Sequence, residues 1–130
     1  MGVQSRSWRR REEGHPRVWI ATLLRREGES GVQTHFRTLL GWADAAGVPV
    51  GLVTAFDAPR SVIWPAHGIG RVVRPVSRAA WVRWYRASHF VVLRRALARR
   101  VTGGERVVVY AQDLLSAKAA LDVRRRVGAG

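Results

Sequence analysis

The chain has no cysteine. That excludes a disulfide-stapled scaffold and a thiolate metal centre, and it fits a cytosolic setting. Lysine is nearly missing: of 23 basic residues only Lys118 is one, and the rest are arginine. A GC-rich coding bias would produce that preference without a functional cause. Long apolar runs are missing as well. The longest charge-free stretch, AAGVPVGLVTAF (45–56), is well short of the roughly 20 residues that cross a bilayer, and it contains glycine and proline. The amino-terminal stretch MGVQSRSWRRREEGHPR has no apolar core, so it is not a secretory signal. Arg6 stands where a myristoylation pattern needs serine or threonine. The histidines at 15, 35, 67 and 89 have no zinc-ligand spacing. No G-x-G-x-x-G, Walker loop, Ser-His-Asp order or HExxH occurs, and no metal is expected.

What is present is a chain of 130 residues, 47% hydrophobic, with a formal charge of +14. It is long enough for one domain with a core and too apolar for a disordered tail. Its charge predicts attraction to anionic partners: nucleic acid, acidic lipid or phosphorylated ligands.

Residues 1–16 read as a flexible basic arm, and 17–130 as one domain. VWIATLL (Val18–Leu24) is apolar nearly throughout, as a strand covered on both faces would be. A polar turn, GESGVQTH, follows. From Val32 the period changes, and Val32, Phe36, Leu39, Leu40, Ala43 and Ala46 fall on one helical face. Gly47 and Pro49 stop that helix, and VGLVTAF (Val50–Phe56) is a second buried-type strand. Strand, helix and strand make a βαβ unit and imply a parallel sheet. DAPRSVIWPAHGIG reads as turn chemistry and RVVRPV as a short third strand that Pro75 confines to an edge or an end. Ser77 is an N-cap candidate for a long helix over Arg78–Arg100, which Gly103 and Gly104 end. RVVVYA (Arg106–Ala111) is a β-branched strand, and a last helix runs from about Ser116 to Val127. The predicted fold class is α/β, a Rossmann-like parallel sheet with flanking helices.

Two turns fall on the carboxyl edge of such a sheet, where open α/β folds bind ligands. In the first, the amides of Gly31, Val32 and Gln33 are expected to lie unpaired at a helix start, facing an anion such as a diphosphate. In the second, Gln112 could hydrogen-bond a hydroxyl, and Asp113 could accept from one or cap the helix behind it. Asp57 ends the second strand and reads as a turn residue before Pro59.

Taken together, GVQTHFRTLLGWADAAGVPVGLVT and VVVYAQDLLSAKAALDVRRRVGAG resemble segments of the retaining family 4 glycosyltransferases of the GT-B fold. The GVQ-x-H step is similar to that of the lipid-linked or phosphatidylinositol mannosyltransferases. The resemblance implies an enzyme that moves a sugar from a nucleotide-sugar donor to a hydroxyl acceptor, which could be lipid-linked. The turn Ser30, Gly31, Val32 and Gln33 would border the donor diphosphate and the acceptor, with Ser30 replacing the family's first glycine. Gln112 and Asp113 would lie on the acceptor side. The family's catalytic-region histidine and its donor-binding second domain are not among these residues. The chain is therefore expected to be an incomplete amino-terminal domain, inactive alone, with no catalytic residue of its own and no cofactor beyond the nucleotide sugar.

The helix Arg78–Arg100 carries seven arginines and no acid. Trp81, Tyr85, Val92 and Ala96 share one face. Arg83, Arg86 and Arg94 lie on the other, with Phe90 and Leu97 among them. That mixture suits an anionic membrane surface and would make a cytoplasmic protein peripheral at the inner face of the plasma membrane. The alternative to an enzyme is thus a basic membrane-surface or nucleic-acid-binding module. Specific nucleic-acid recognition is not expected, because no RRM, KH or helix-turn-helix pattern occurs.

Overall fold

The computed structural model describes residues 18–101 and 106–128. The arm expected over 1–16 and the glycines at 103, 104 and 130 lie outside the described residues. Strands β1 (Val18–Thr22), β2 (Val50–Thr54) and β3 (Val108–Ala111) form a parallel sheet in the order β2-β1-β3. Ile20 pairs with Leu52 on one side and with Tyr110 on the other. Helices α1 (Gly31–Ala45), α2 (Arg60–Val73), α3 (Arg78–Arg100) and α4 (Leu114–Val127) complete the described chain. The fold is α/β and Rossmann-like, with helices on both faces of a parallel sheet.

Each face of the sheet has its own core, because successive side chains on a strand point to opposite faces. Ile20 and Leu52 meet Phe36 and Leu40 of α1. Trp19, Ala21 and Val53 meet Leu93, Ala96 and Leu97 of α3 and Ala119 and Val123 of α4. The chain leaves β1 toward one face through α1 and leaves β3 toward the other through α4. The carboxyl ends of β1 and β3 are thus a topological switch point.

Local signals set the ends of α1. The Ser30 hydroxyl accepts from the Gln33 amide at 3.3 Å, and the Gln33 side-chain oxygen accepts from the Ser30 amide at 3.0 Å. At the other end Gly47 takes φ 69°, a left-handed conformation that costs glycine little. Val48 N–H then reaches Ala43 O at 2.8 Å and Gly47 N–H reaches Asp44 O at 3.1 Å, satisfying the last carbonyls. The buried face is Gln33, Phe36, Leu40 and Ala43, while Val32 and Ala46, expected on it, are exposed.

Two expectations fail between Asp57 and Ser77. The stretch read as turn chemistry is helix α2, with Pro65 inside it, and RVVRPV is its last turn and the bend into α3 rather than a strand. The reason is tertiary. Pro65 removes one helical donor, but Val62, Ile63, Ala66 and Val73 are half-buried, and α2 packs along α3. Gly70 is buried beside the indoles of Trp81 and Trp84, where even a Cβ would make only ordinary contact, at 3.6–3.8 Å. Trp84 Nε1 donates to Ala66 O at 2.8 Å and pins the two helices together.

Helix α3 spans the expected residues, and the Ser77 hydroxyl caps it by accepting from Ala80 N–H at 3.2 Å. Its wheel reading needs correction. Leu97 has no exposed surface, and Phe90 is half-buried against the core. Arg94 and Lys118 lie over the Phe90 ring, and Arg94 pairs with Asp122 at 3.8 Å. The face expected to meet a membrane through Phe90, Arg94 and Leu97 is where α4 packs. Arg83 and Arg86 remain exposed.

Candidate functional site at the carboxyl edge of the sheet

The turn after β1 is organised by its own side chains. Gln33 is buried, and its side-chain nitrogen donates to Arg25 O at 3.0 Å and to Glu27 O at 2.7 Å. Arg37 donates to Gln33 O and to Gly28 O. The Gln33 backbone amide, expected to be open to an anion, is taken by Ser30. The first-turn donors still open among the described residues are those of Gly31 and Val32, both exposed. A Cβ on Gly31 would meet nothing within 4 Å, so the protein's own packing does not require glycine there.

The second turn is equally committed. Asp113 Oδ1 accepts from Ser116 N–H at 2.7 Å, and the Ser116 hydroxyl accepts from Asp113 N–H at 3.1 Å, a capping box for α4. Asp113 Oδ2 accepts from Leu23 N–H at 3.2 Å, which ties the ends of β1 and β3 across the switch point. Gln112 N–H donates to Ala21 O at 3.0 Å, while its side-chain nitrogen is buried without a hydrogen-bond partner among the described residues. Asp57 is a turn residue, as expected. It accepts from Thr54 N–H at 2.8 Å and from Arg26 at 3.1 Å, and Arg26 also donates to Leu52 O at 3.0 Å.

Beside these turns lies a cleft of about 830 Å³, a volume suited to a small molecule. Its floor is Leu24, Arg25 and Phe56 at the strand ends. One wall is α2, with Trp64, His67 and Arg71, continued by Arg74 at its C-cap. The other is α3, with Trp81, Tyr85, Ser88 and His89. The α2 residues recur every three or four positions and so share one helical face. On the α3 side the rings form a continuous row. Tyr85 and His89 stack at 3.8 Å, and Trp81 is 5.6 Å from Tyr85. His89 meets Phe56 edge-on at 5.2 Å and His67 at 6.2 Å. A guanidinium closes each end: Arg25 lies 4.9 Å from the Phe56 centroid and Arg74 5.5 Å from that of Trp81.

The cleft is electropositive. From residue 58 to residue 104 the sequence has ten arginines and no carboxylate. Arg25, Arg71 and Arg74 form no ion pair among the described residues; Glu27 at the rim is the cleft's one carboxylate in that set. His89 is buried, and its Nδ1 lies 2.7 Å from Tyr85 O. That contact requires a proton on Nδ1, which leaves Nε2 as an acceptor in the neutral ring. Burial pushes the His89 imidazole below its usual range. The Tyr85 carbonyl opposes that shift, and His67 and Arg25 add to it. Among the described residues no group of three His, Asp or Glu gathers as a metal site would need.

Sequence reasoning found the two turns and missed the cleft. The lost signal was the helical spacing of Trp64, His67, Arg71 and Arg74, hidden by two prolines and two glycines. No protein-family model, no curated protein and no solved structure matches this chain.

Proposed function

We propose that this chain is the acceptor-side, amino-terminal part of a retaining, nucleotide-sugar-dependent glycosyltransferase of the GT-B type. The observation that carries the reading is the placement of the β1–α1 turn. It presents the open Gly31 and Val32 amides at a helix start, and through Arg25, Glu27 and Gln33 it also lines the cleft. Donor phosphate at the amides and acceptor hydroxyl in the cleft would put both reactants on one edge. Those amides would act electrostatically, since backbone N–H groups with a helix dipole behind them stabilise a phosphate leaving group. Ser30 and Gln33 hold the turn in shape, and Asp113 fixes its distance from β3. No residue here is assigned as base or nucleophile, and in this reading the donor would be held by a second α/β domain, as the resemblance implies.

The test is amide NMR of this chain titrated with a panel of nucleotide sugars, alongside a transfer assay on a longer product of the gene. Selective shifts at Gly31 and Val32, with retention of anomeric configuration in the product, are expected. A panel that leaves both amides unmoved sinks the reading.

A second reading, a membrane-surface module, is favoured by the end of α2 and the bend after it rather than by the middle of α3. Val72 and Val76 are 70% and 82% exposed, with Arg71, Arg74 and Arg78 nearby in sequence. Vesicle sedimentation checks it: binding to anionic but not neutral vesicles should fall for Val72→Ser with Val76→Ser. Unchanged binding would remove the role from this helix.

A further inference from the structure

We infer that the α2–α3 cleft is a mononucleotide site: an aromatic base stacked on Trp64, with the attached phosphates held by Arg71 and Arg74. The inference does not rest on the transferase reading, which puts donor phosphate at Gly31 and Val32 and an acceptor in this cleft; a nucleotide seated here would take the acceptor's place.

Three observations meet here. The first is a free stacking surface. Trp64 lines the cleft, is 75% exposed and has no ring or hydrogen-bond partner among the described residues. By contrast Trp84 is pinned to Ala66, and Trp81 is engaged by Tyr85 and Arg74. An exposed indole on a cleft wall is poorly explained by packing. It suits a flat ring, since stacking on an aromatic side chain contributes about 1–3 kcal/mol per base.

The second is uncompensated charge at a fixed offset from that ring. Arg71 follows Trp64 by seven residues on the same face of α2, about 10 Å along the axis at the rise of an α-helix. Arg74 follows by one more turn. That offset is on the scale separating a nucleobase from its terminal phosphate. A guanidinium fork matches phosphate oxygens.

The third is the sugar's surroundings. His67 lies between Trp64 and Arg71 on the same helical face, and Glu27, Ser88 and the His89 ring line the cleft. These are donors and acceptors of the kind that ribose hydroxyls use. The cleft's volume also favours one nucleotide over a bare anion, which would leave the rings uncovered.

A base with phosphates could also come from a single-stranded nucleic acid, so the test separates the sources. Calorimetric titrations at physiological salt would compare ADP, UDP, adenosine, pyrophosphate, a short single-stranded oligonucleotide and phosphatidylglycerol vesicles. A nucleoside diphosphate should bind at least tenfold more tightly than adenosine or pyrophosphate. Trp64→Ala should reduce its affinity about tenfold and leave pyrophosphate binding unchanged, and Trp64→Phe should restore most of the loss. Arg71→Ala with Arg74→Ala should abolish the advantage over adenosine. Arg83→Ala with Arg86→Ala, which removes equal charge outside the cleft, should leave affinity within twofold. Circular dichroism melts would confirm that each variant folds. Equal affinity for pyrophosphate and ADP, or an equal loss from the Arg83 and Arg86 variant, overturns the inference in favour of nonspecific charge. An oligonucleotide that binds more tightly than ADP and depends on Trp64 overturns the mononucleotide in favour of a strand. Vesicles that compete with ADP through Trp64 overturn it in favour of a membrane contact.

Discussion

Two polar neighbourhoods share the carboxyl edge of the sheet. In the turns after β1 and β3, the side chains of Ser30, Gln33 and Asp113 are spent on the protein's own backbone. In the cleft between α2 and α3, Arg25 and Arg74 rest on rings and Arg71 lines the wall, none with an ion-pair partner among the described residues. Both are rich in chemically capable residues. The difference is what their polar atoms already touch. Turn residues that fill a ligand-binding pattern can be structural in full, and residues outside any pattern can be the ones left free for a ligand.

The comparison is best broken by substitution. The largest effect is expected where α3 meets the core. Leu97→Ala should cost about 2–5 kcal/mol in urea unfolding, because Leu97 is fully buried. A loss below about 1 kcal/mol would return Leu97 to the surface. Next come the turns. Gln33→Ala strips partners from Ser30 N–H, Arg25 O and Glu27 O, and should cost about 2–3 kcal/mol. Asp113→Ala loses the α4 cap and the tie to Leu23 and should cost about 1–3 kcal/mol. Asp113→Asn keeps a capping oxygen and should cost less. If either alanine variant were neutral in stability but lost ligand, the side chains of Gln33 and Asp113 would act on the ligand and not only on the backbone of the turns.

The cleft arginines should behave oppositely. Arg71→Ala should change stability by no more than about 0.5 kcal/mol and Arg74→Ala, which gives up its place over the Trp81 ring, by no more than about 1 kcal/mol, since each is exposed and has no ion pair among the described residues. The double variant could even gain stability by relieving self-repulsion. A large loss would show that the cleft's cations hold the fold.

The smallest effect is a pH dependence. His89 is buried, so its folded-state pKa is depressed below the unfolded value of 6.5. The unfolded chain then binds more protons between those two values, so stability rises with pH in that window. Its contribution is complete above pH 6.5 and is lost as pH falls through the folded pKa. His67 from α2 and Arg25 from the β1 turn reinforce the shift, and Tyr85 O opposes it. His89→Phe should flatten unfolding free energy measured from pH 7.5 down to pH 5. An unchanged slope would assign the acid sensitivity elsewhere.

What could be read ahead of the structure had a local cause. Ser77 at the start of Arg78–Arg100 follows from capping chemistry, and Gly47 with Pro49 ends α1 for steric reasons. VWIAT and VGLVT (Val50–Thr54) are apolar without alternation because a parallel sheet between helices is covered twice. From these the βαβ unit and the α/β class follow. The turns of the candidate site were legible by position but not by occupancy, because Ser30 and Gln33 pair with each other.

Helix α2 was decided elsewhere. Its prolines and glycines argue against a helix locally, and the contact with α3 overrides them. The side of α3 that meets water was decided by α4, which covers Leu97 and Phe90 although the wheel sets them among arginines. Sequence period and caps determine where an element begins, ends and repeats, because those depend on neighbours a few residues away. Which face is buried, which amide is free and which arginine lacks a carboxylate depend on partners far along the chain. Only the packed structure brings those together.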